Sequence, residues 1–391
     1  MNVLLIIMVV LCGFGIWEFR GHQLRLRKIP LRIHINGSRG KSSVTRLIAA
    51  GLRAGGLRAV AKTTGTLPRI IDHEGKEISI NRNQSANIIE QVKILKYIDH
   101  MNPEVLVIEC MAVLPEYQWF CEHKLVKSHI GVITNARLDH VNEMGQFREQ
   151  IARSLSNTVP VNGSMYTSEK NYLQVIVDVG KKQNTKVTRV GGGGIDKDEL
   201  NAFSYIEHPA NIGLALAVCE KAGVDRETAL LGMTKVRPDP GALRIANCKH
   251  EHKELMFVNA MAANDAESTL VIWKEIQNRF APLGKIIFLL NSRADRQDRS
   301  IQLLEMISSN VKFDYLVLTG GSLKRFIQHA IKFNIPKDKI IGLGRTSPEK
   351  VYEEVFKVTQ VTGTVFAIGN VGGGGLDIGR YFYKHRRTSN S

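Results

Sequence analysis

The chain has 391 residues, enough for two or three domains, and its 43% apolar content is that of an ordinary globular protein. A net charge of +16 favours an anionic partner (nucleic acid, phospholipid surface or polyanionic substrate) without choosing among them. The five scattered cysteines (Cys12, Cys110, Cys121, Cys219 and Cys248) lack metal-ligand spacing, which excludes a zinc site and a disulfide framework and indicates a reducing compartment.

Val3 to Trp17 is an apolar run followed by Arg20, Arg25, Arg27, Lys28 and Arg32. It is short against the roughly 20 residues of a comfortable span, and it lacks the basic start and cleavage site of a signal peptide. An uncleaved anchor over residues 1–19 is expected, with the basic flank holding the rest in the cytoplasm. A buried N-terminal helix is the alternative.

Leu31, Ile33 and Ile35 alternate as a strand, Gly37 and Gly40 bound a tight loop, and Lys41-Ser42-Ser43 open a helix with an apolar face at Val44, Leu47, Ile48 and Leu52. Strand, glycine loop, Lys-Ser and helix together describe a phosphate cradle. The full nucleotide-loop spacing asks for glycine at position 35, where this chain has Ile35, so the motif is the shorter G-x-x-G-K-S. In this reading residues 36–43 (Asn36, Gly37, Ser38, Arg39, Gly40, Lys41, Ser42, Ser43) hold ATP, Lys41 reaches the terminal phosphates and Ser42 binds Mg²⁺.

A second strand over 58–63 runs into Lys62-Thr-Thr-Gly-Thr66, either a phosphate contact or a plain turn, and residues 75–82 suggest a hairpin or an irregular insertion. Helical spacing covers 85–99. Residues 104–109 form a buried strand ending on Glu109, at the sheet edge where ligands collect; the carboxylate suits Mg²⁺, or else merely begins a solvated loop. A strand over 129–134 leads to Asn135-Ala-Arg-Leu-Asp139-His140, where His140 can bind a second metal or orient the acceptor, Asp139 can hold its ring, and Asn135 can shape the turn. The run 191–194 is expected as a mobile glycine loop. Pro209 suits the first turn of a helix over 212–219, and Asn211 either meets the base or ribose or serves packing and capping. Val236 to Gly241 is the linker, dividing a 20–237 ATP-binding domain from a 238–391 domain. Strands over 254–260, 285–290, 315–320 and 365–370, alternating with helices, predict a second, parallel α/β domain with polar strand ends at 291–299 and 370–375 on one edge.

Several motifs resemble those of the Mur ligases and folylpolyglutamate synthases. They are Asn36-Gly-Ser-Arg-Gly-Lys-Ser-Ser43, Ile133-Thr-Asn-Ala-Arg-Leu-Asp-His140, Glu109, His208-Pro-Ala-Asn211, Pro240-Gly-Ala-Leu-Arg244 and Val258 to Asp265. The likeness covers roughly residues 30–375 and is greatest to the ligase subunits of bacterial poly-γ-glutamate synthase, on the phosphate loop, Lys62-Thr-Thr-Gly-Thr66, the short anchor and the missing nucleotide-sugar domain. It implies a P-loop central ATPase domain with a smaller Rossmann-like C-terminal α/β domain. The implied activity is ATP- and Mg²⁺-dependent amide formation on a γ-carboxylate through an acyl phosphate. Implied partners are glutamate, the poly-γ-glutamate chain, the membrane and small membrane subunits; a homo-oligomer stays open and nucleic acid is not expected. Mur ligases carry a carbamylated lysine after the Asp-His motif, yet no lysine lies between Lys127 and Lys170, so a second metal would rest on Glu109 and His140. Asn259 replaces an aspartate, and the hinge arginine is displaced to Arg244.

Lys41, Glu109, His140 and Arg244 are therefore the expected catalytic residues, with Ser42, Glu109 and His140 on metal. Arg244, Arg293 and Arg296 either close over ATP or the substrate carboxylate, or form surface ion pairs. The basic surface would let a polyanionic product track along it. Competing readings are a Mur-type ligase for a cell-wall or folate precursor, a nucleic-acid-binding P-loop ATPase, and a scaffold with a dead nucleotide site.

Overall fold

The computed structural model describes residues 2–387 except Thr66, 82–86, Ser204, 239–242, Asn264, Ala281 and Leu283. It also leaves out the side chains of Asn2 and Arg279. Most of the expected hinge, Pro240 to Ala242, thus lies outside the described residues. The chain divides into two compact units, Met1–Arg237 and Pro238–Ser391.

In the first unit, helix α1 (Asn2–Arg27) precedes β1 (Leu31–Asn36) and α2 (Lys41–Ala54). Next come β2 (Ala59–Thr63), β3 (Arg69–Ile71), β4 (Glu77–Ser79), α3 (Glu90–Ile98), β5 (Val105–Glu109) and α4 (Pro115–Phe120). The last strands of this unit are β6 (Ile130–Ile133), β7 (Ser164–Thr167) and β8 (Lys186–Arg189). They build an eight-stranded sheet in the order β4-β3-β2-β5-β1-β6-β7-β8. β1 is central and parallel to both neighbours, Ile35 lying opposite Glu109 of β5 and Val132 of β6. Such strands are covered on both faces, which is why Val105 to Ile108 is an unbroken apolar run rather than an alternating one. β3 and β4 form the antiparallel hairpin at one edge.

α2 is buried from Val44 to Leu52, because helices Pro209–Lys221 and Arg226–Thr234 cover the side turned from the sheet. A Cβ on Gly51 would come within 2.7 Å of the Cys219 thiol, so the close approach of these helices requires glycine there.

The N-terminal segment differs from its expectation in extent. The apolar run is part of one continuous helix, and Val3–Arg27 is long and apolar enough to cross a membrane. Val3 to Phe19 are exposed, whereas Leu26 and Ile29 pack with Val60, Leu95 and Leu106. His22 Nε2 donates to the Leu125 carbonyl at 2.9 Å and Gln23 Nε2 to that of Lys124 at 2.8 Å. The apolar segment therefore continues rigidly into the core.

In the 191–194 run one glycine is packed and two are open, since a Cβ on Gly193 or Gly194 would meet nothing within 4 Å. Gly192 sits where a Cβ would lie 2.6 Å from Pro209 and 2.8 Å from the Ala210 nitrogen, against the start of helix Pro209–Lys221.

The second unit holds β9 (Arg244–His250), β10 (Lys253–Asn259), β11 (Lys285–Ser292), β12 (Tyr315–Gly320), β13 (Ile340–Gly344) and β14 (Thr362–Gly369), ordered β13-β12-β11-β14-β10-β9. Five are parallel, but β9 runs antiparallel to β10, which corrects the expectation of a wholly parallel sheet. β9 escapes a sequence reading because only Ala246 and Cys248 of its seven residues are buried. Glu251, at φ 54, turns the chain between the two strands. β13 is a half-exposed edge strand with two glycines and was equally faint. Asn291 of β11 pairs with Gly369 of β14, so the polar segments after them do share one sheet edge.

Candidate active site

β1, β5 and β6 are adjacent, so Asn36, Glu109 and Thr134 leave the sheet side by side at the edge where ligands gather in open α/β folds. The loop between β1 and α2 turns on two glycines with positive φ, Gly37 at 134° and Gly40 at 82°. A Cβ at Gly37 would collide with the Thr134 hydroxyl, and one at Gly40 would lie 2.8 Å from Asn211 Oδ1. Both positions demand glycine for conformation and for space.

The first half of the loop is occupied with holding its own shape. Asn36 is buried, donates to Gln118 Oε1 at 2.8 Å and Thr158 Oγ1 at 3.2 Å, and accepts from the Gly37 N–H at 2.8 Å. The Ser38 N–H donates to the Asn135 carbonyl at 2.9 Å, and its hydroxyl donates to the Arg137 carbonyl at 2.8 Å. Asn135 clamps Arg39, accepting its N–H at 3.2 Å and donating to its carbonyl at 3.1 Å, while Thr134 donates to the same carbonyl at 2.6 Å. These hydrogen bonds of Asn36 and the 37–39 segment brace the loop. The amides that open α2, from Lys41 through Ser43, have no intrahelical acceptor and carry the positive end of the helix dipole. Gln118 and the clamping role of Asn135 were missed, though Thr134-Asn135 sits in a recognisable motif.

Lys41 stretches back over the loop, Nζ donating to the Gly37 carbonyl at 2.5 Å and to that of Ser38 at 3.5 Å. Ser42 Oγ donates to Glu109 Oε2 at 2.8 Å, and the Thr64 N–H donates to the same oxygen at 2.7 Å. In the 62–66 segment, whose Thr66 lies outside the described residues, Thr64 positions the carboxylate. A hydroxyl and a carboxylate in mutual contact beside a helix N-terminus are hard oxygen donors of the type Mg²⁺ takes alongside nucleotide phosphates. The donor set fits that ion.

His140 does not join this pair in a ready-made cluster. Among the described residues, no three His, Cys, Asp or Glu side chains are grouped to hold a metal. The His140 ring is 3.9 Å from Glu143, and Asp139 accepts from the His140 backbone N–H at 3.1 Å. Asp139 also lies 3.6 Å from the Arg39 guanidinium.

Asn211 reaches the loop through packing: its amide lies over Gly40 and donates to Glu207 Oε1 at 2.7 Å. Glu207, unnoticed in the sequence, is buried; burial raises its pKa, and the groups opposing that rise are Asn211, the His208 N–H, Tyr205 and Ser43. It thereby links Ser43 of the phosphate loop to the helix starting at Pro209.

Below the loop, His34 of β1 is fully buried and paired with Glu122 at 2.7 Å. Burial disfavours the imidazolium, but Cys110 and Glu122 outweigh it and push the His34 pKa up to about 10. A folded pKa above the unfolded 6.5 means that this pairing stabilises fully below about pH 6.5 and is lost as pH rises through about 10. The urea midpoint is expected to fall between about pH 6 and about pH 9.5, with His34→Gln flattening that slope. An identical slope in both proteins would remove His34 as its source.

Arg244, Arg293 and Arg296 belong to the second unit. Arg244 opens β9, lies 5.3 Å from the Tyr383 ring and donates to the Pro238 carbonyl at 3.5 Å. Arg293 forms a two-pronged pair with Asp295 at 2.9 and 2.7 Å. Arg296 sits just before the helix Gln297–Asn310. Asn291, which donates to the Asn370 carbonyl at 2.6 Å and the Gly372 carbonyl at 3.0 Å, ties these strand ends together.

Comparison with known proteins agrees with this arrangement. Residues 35–237 match the Mur ligase middle domain, and residues 245–385 match the poly-gamma-glutamate synthase CapB C-terminal domain. The chain is 36% identical over 369 residues to the capsule biosynthesis protein CapB of Bacillus anthracis, covering 93% of this chain and 79% of that one. It is 36% identical over 375 residues to the PGA synthase CapB of Bacillus subtilis (strain 168), covering 95% of each. Its fold is similar to the bifunctional folylpolyglutamate synthase/dihydrofolate synthase of Yersinia pestis, solved with AMPPNP and Mn, with a TM-score of 0.69 at 16% identity over 90% of this chain and 89% of that one. With both of its units matched and up to 95% of its length aligned, the chain belongs to the CapB poly-γ-glutamate synthase family of Mur-type ligases.

Proposed function

We propose that this chain is an ATP-dependent amide ligase that extends poly-γ-glutamate, activating a γ-carboxylate as an acyl phosphate and joining it to the amino group of glutamate. The observation that carries the reading is the contact of Ser42 with Glu109 beside Lys41, at the mouth of a glycine loop, in a chain of this family. A carboxylate is a poor acylating agent in neutral water because its leaving group is poor. One of its oxygens attacks the γ-phosphorus of ATP, ADP departs, and the acyl phosphate forms; the free amine of glutamate then attacks the acyl carbon and phosphate leaves. Phosphoryl transfer of this kind calls mainly for positioning and neutralisation of charge. Lys41 and the amides opening α2 would hold the phosphates, and Glu109, with the Thr64 N–H on it, would orient Ser42. Mg²⁺ held by Ser42 and Glu109 would neutralise the phosphate oxygens.

The exposed apolar stretch of α1 supports attachment to a membrane with both units on the cytoplasmic side. Small membrane subunits and further copies of the chain are the partners to seek there. One experiment addresses these points together. Membranes from cells expressing the chain with its neighbouring genes are given ATP, Mg²⁺, glutamate and a primer ¹⁸O-labelled in its carboxylates. Label is expected in the released phosphate, and the chain is expected to sediment with membranes and to be released by deleting residues 2–19. Polymer growth with unlabelled phosphate would sink the acyl-phosphate route.

A further inference from the structure

One face of α2 continues past the phosphate loop into a cavity. Ser42, Arg46, Ala50 and Arg53 follow one another at helical spacing, so Arg53 lies about 16 Å along the axis from Ser42 at 1.5 Å per residue. Beyond Ser42 this stripe forms one wall of a cavity of about 500 Å³, closed by the β3–β4 hairpin and by the end of helix Arg226–Thr234 with the residues after it. The charges around it are unequally matched. Glu77 is already held by Arg46 at 2.5 Å and by Arg69 at 3.7 Å. Arg53 is half-buried beneath Gly75; among the described residues its guanidinium donates to the Ala59 carbonyl at 3.3 Å and meets no carboxylate in ion-pair contact. Burial lowers its pKa, Asp72 opposes that, and Arg46 adds to it, so the guanidinium is held in an unfavourable setting. Lys235 and Arg237 line the same cavity with exposed side chains and no ion pair among the described residues. Against these three cations stand the exposed carboxylate of Glu74 and that of Asp72, which acts on Arg53.

We propose that this cavity is a holding site for the anionic glutamate chain, its carboxylates meeting Arg53, Lys235 and Arg237. A cation kept half out of water with no carboxylate in ion-pair contact costs free energy that an arriving carboxylate recovers. A polymer with a carboxylate on every unit can satisfy several such cations at once, and planar guanidinium groups pair with carboxylates through two hydrogen bonds. The cavity wall and the phosphate loop are carried by the same helix, with Arg46 and Ala50 buried between them. The assignment rests on the ligase reading above and adds to it the place where the product chain is retained between additions.

The test uses the full-length chain in detergent, titrated with a fluorescein-labelled oligomer of γ-linked glutamate and read by anisotropy. The paired charge reversal Lys235→Glu with Arg237→Glu, both on exposed side chains, is expected to weaken oligomer binding about tenfold or more. Glu74→Lys is expected to tighten it, and affinity for a fluorescent ATP analogue is expected to stay unchanged in all variants. Equal oligomer binding by wild type and the charge-reversed protein, or no binding by wild type, overturns the assignment. So does displacement of the oligomer by an equal concentration of inorganic pyrophosphate, which would mark a generic anion pocket. ATP-dependent glutamate incorporation, measured on the same proteins with their membrane partners, keeps the two readings apart. Incorporation with substitution-indifferent binding removes the cavity assignment alone. Substitution-sensitive binding without incorporation removes the ligase and leaves a polyanion site.

Discussion

Replacing Lys41 with alanine is expected to abolish glutamate incorporation, lowering its rate by about three orders of magnitude. The ammonium is the mobile positive charge of the loop, resting on the Gly37 and Ser38 carbonyls and within reach of whatever the α2 amides bind. Charge building up on the transferred phosphoryl oxygens would lose its nearest side-chain cation. The fold should not suffer. α2 is held by its buried run from Val44 to Leu52, and the loop is stitched by Asn36, Ser38, Thr134 and Asn135, none of which needs Lys41. The measurement is radiolabelled glutamate incorporation beside a circular-dichroism melt. Undiminished incorporation in a folded Lys41→Ala protein would exclude this loop as the site of phosphoryl transfer. An activity loss accompanied by unfolding is separated from the chemical effect by Lys41→Met, which keeps most of the stem.

Glu109→Gln is expected to cost about two orders of magnitude in turnover and to shift the Mg²⁺ requirement to higher concentration. Glutamine retains an oxygen able to accept from Ser42 and Thr64, so the hydrogen bonds that place the side chain can persist while the charge that attracts the cation disappears. Titrating Mg²⁺ at saturating ATP gives the result, and Ser42→Ala should move the midpoint in the same direction by a smaller factor. The same Mg²⁺ midpoint in Glu109→Gln and wild type would mean that the carboxylate serves Ser42 and Thr64 only. His140→Ala provides a contrast: with the ring facing Glu143 and no metal cluster among the described residues, a change in Mg²⁺ midpoint as large as that of Glu109→Gln would restore the two-metal reading.

Much of the first unit was legible because its signals are local. An alternating strand, two glycines and Lys-Ser at the head of an amphipathic helix announce a phosphate loop within a dozen residues, and an unbroken apolar run ending in Glu109 announces a covered parallel strand. The same rule failed at β9, where a hairpin edge buries only two of seven residues and leaves almost no periodicity. At the run 191–194, glycine content alone does not reveal that Gly192 fits against Pro209 and Ala210.

The composition and motifs by themselves determined an α/β chain with a phosphate loop, an apolar N-terminal helix and a strong positive charge, since each follows from residues close together in sequence. Only the tertiary structure decided which loop groups are left to meet a ligand. Asn36, Ser38 and Arg39 meet Gln118, Thr158 and the 134–137 segment, between 82 and 122 residues away for the Asn36 contacts alone, and Asn36 in turn accepts from the Gly37 N–H. It likewise placed Thr64 on Glu109, Glu207 beneath Asn211, and Arg53 in one cavity with Lys235 and Arg237. The physical reason is that hydrogen bonding and charge compensation are settled between neighbours in space. A one-dimensional pattern names the groups that can take part; the fold determines which of them are already satisfied.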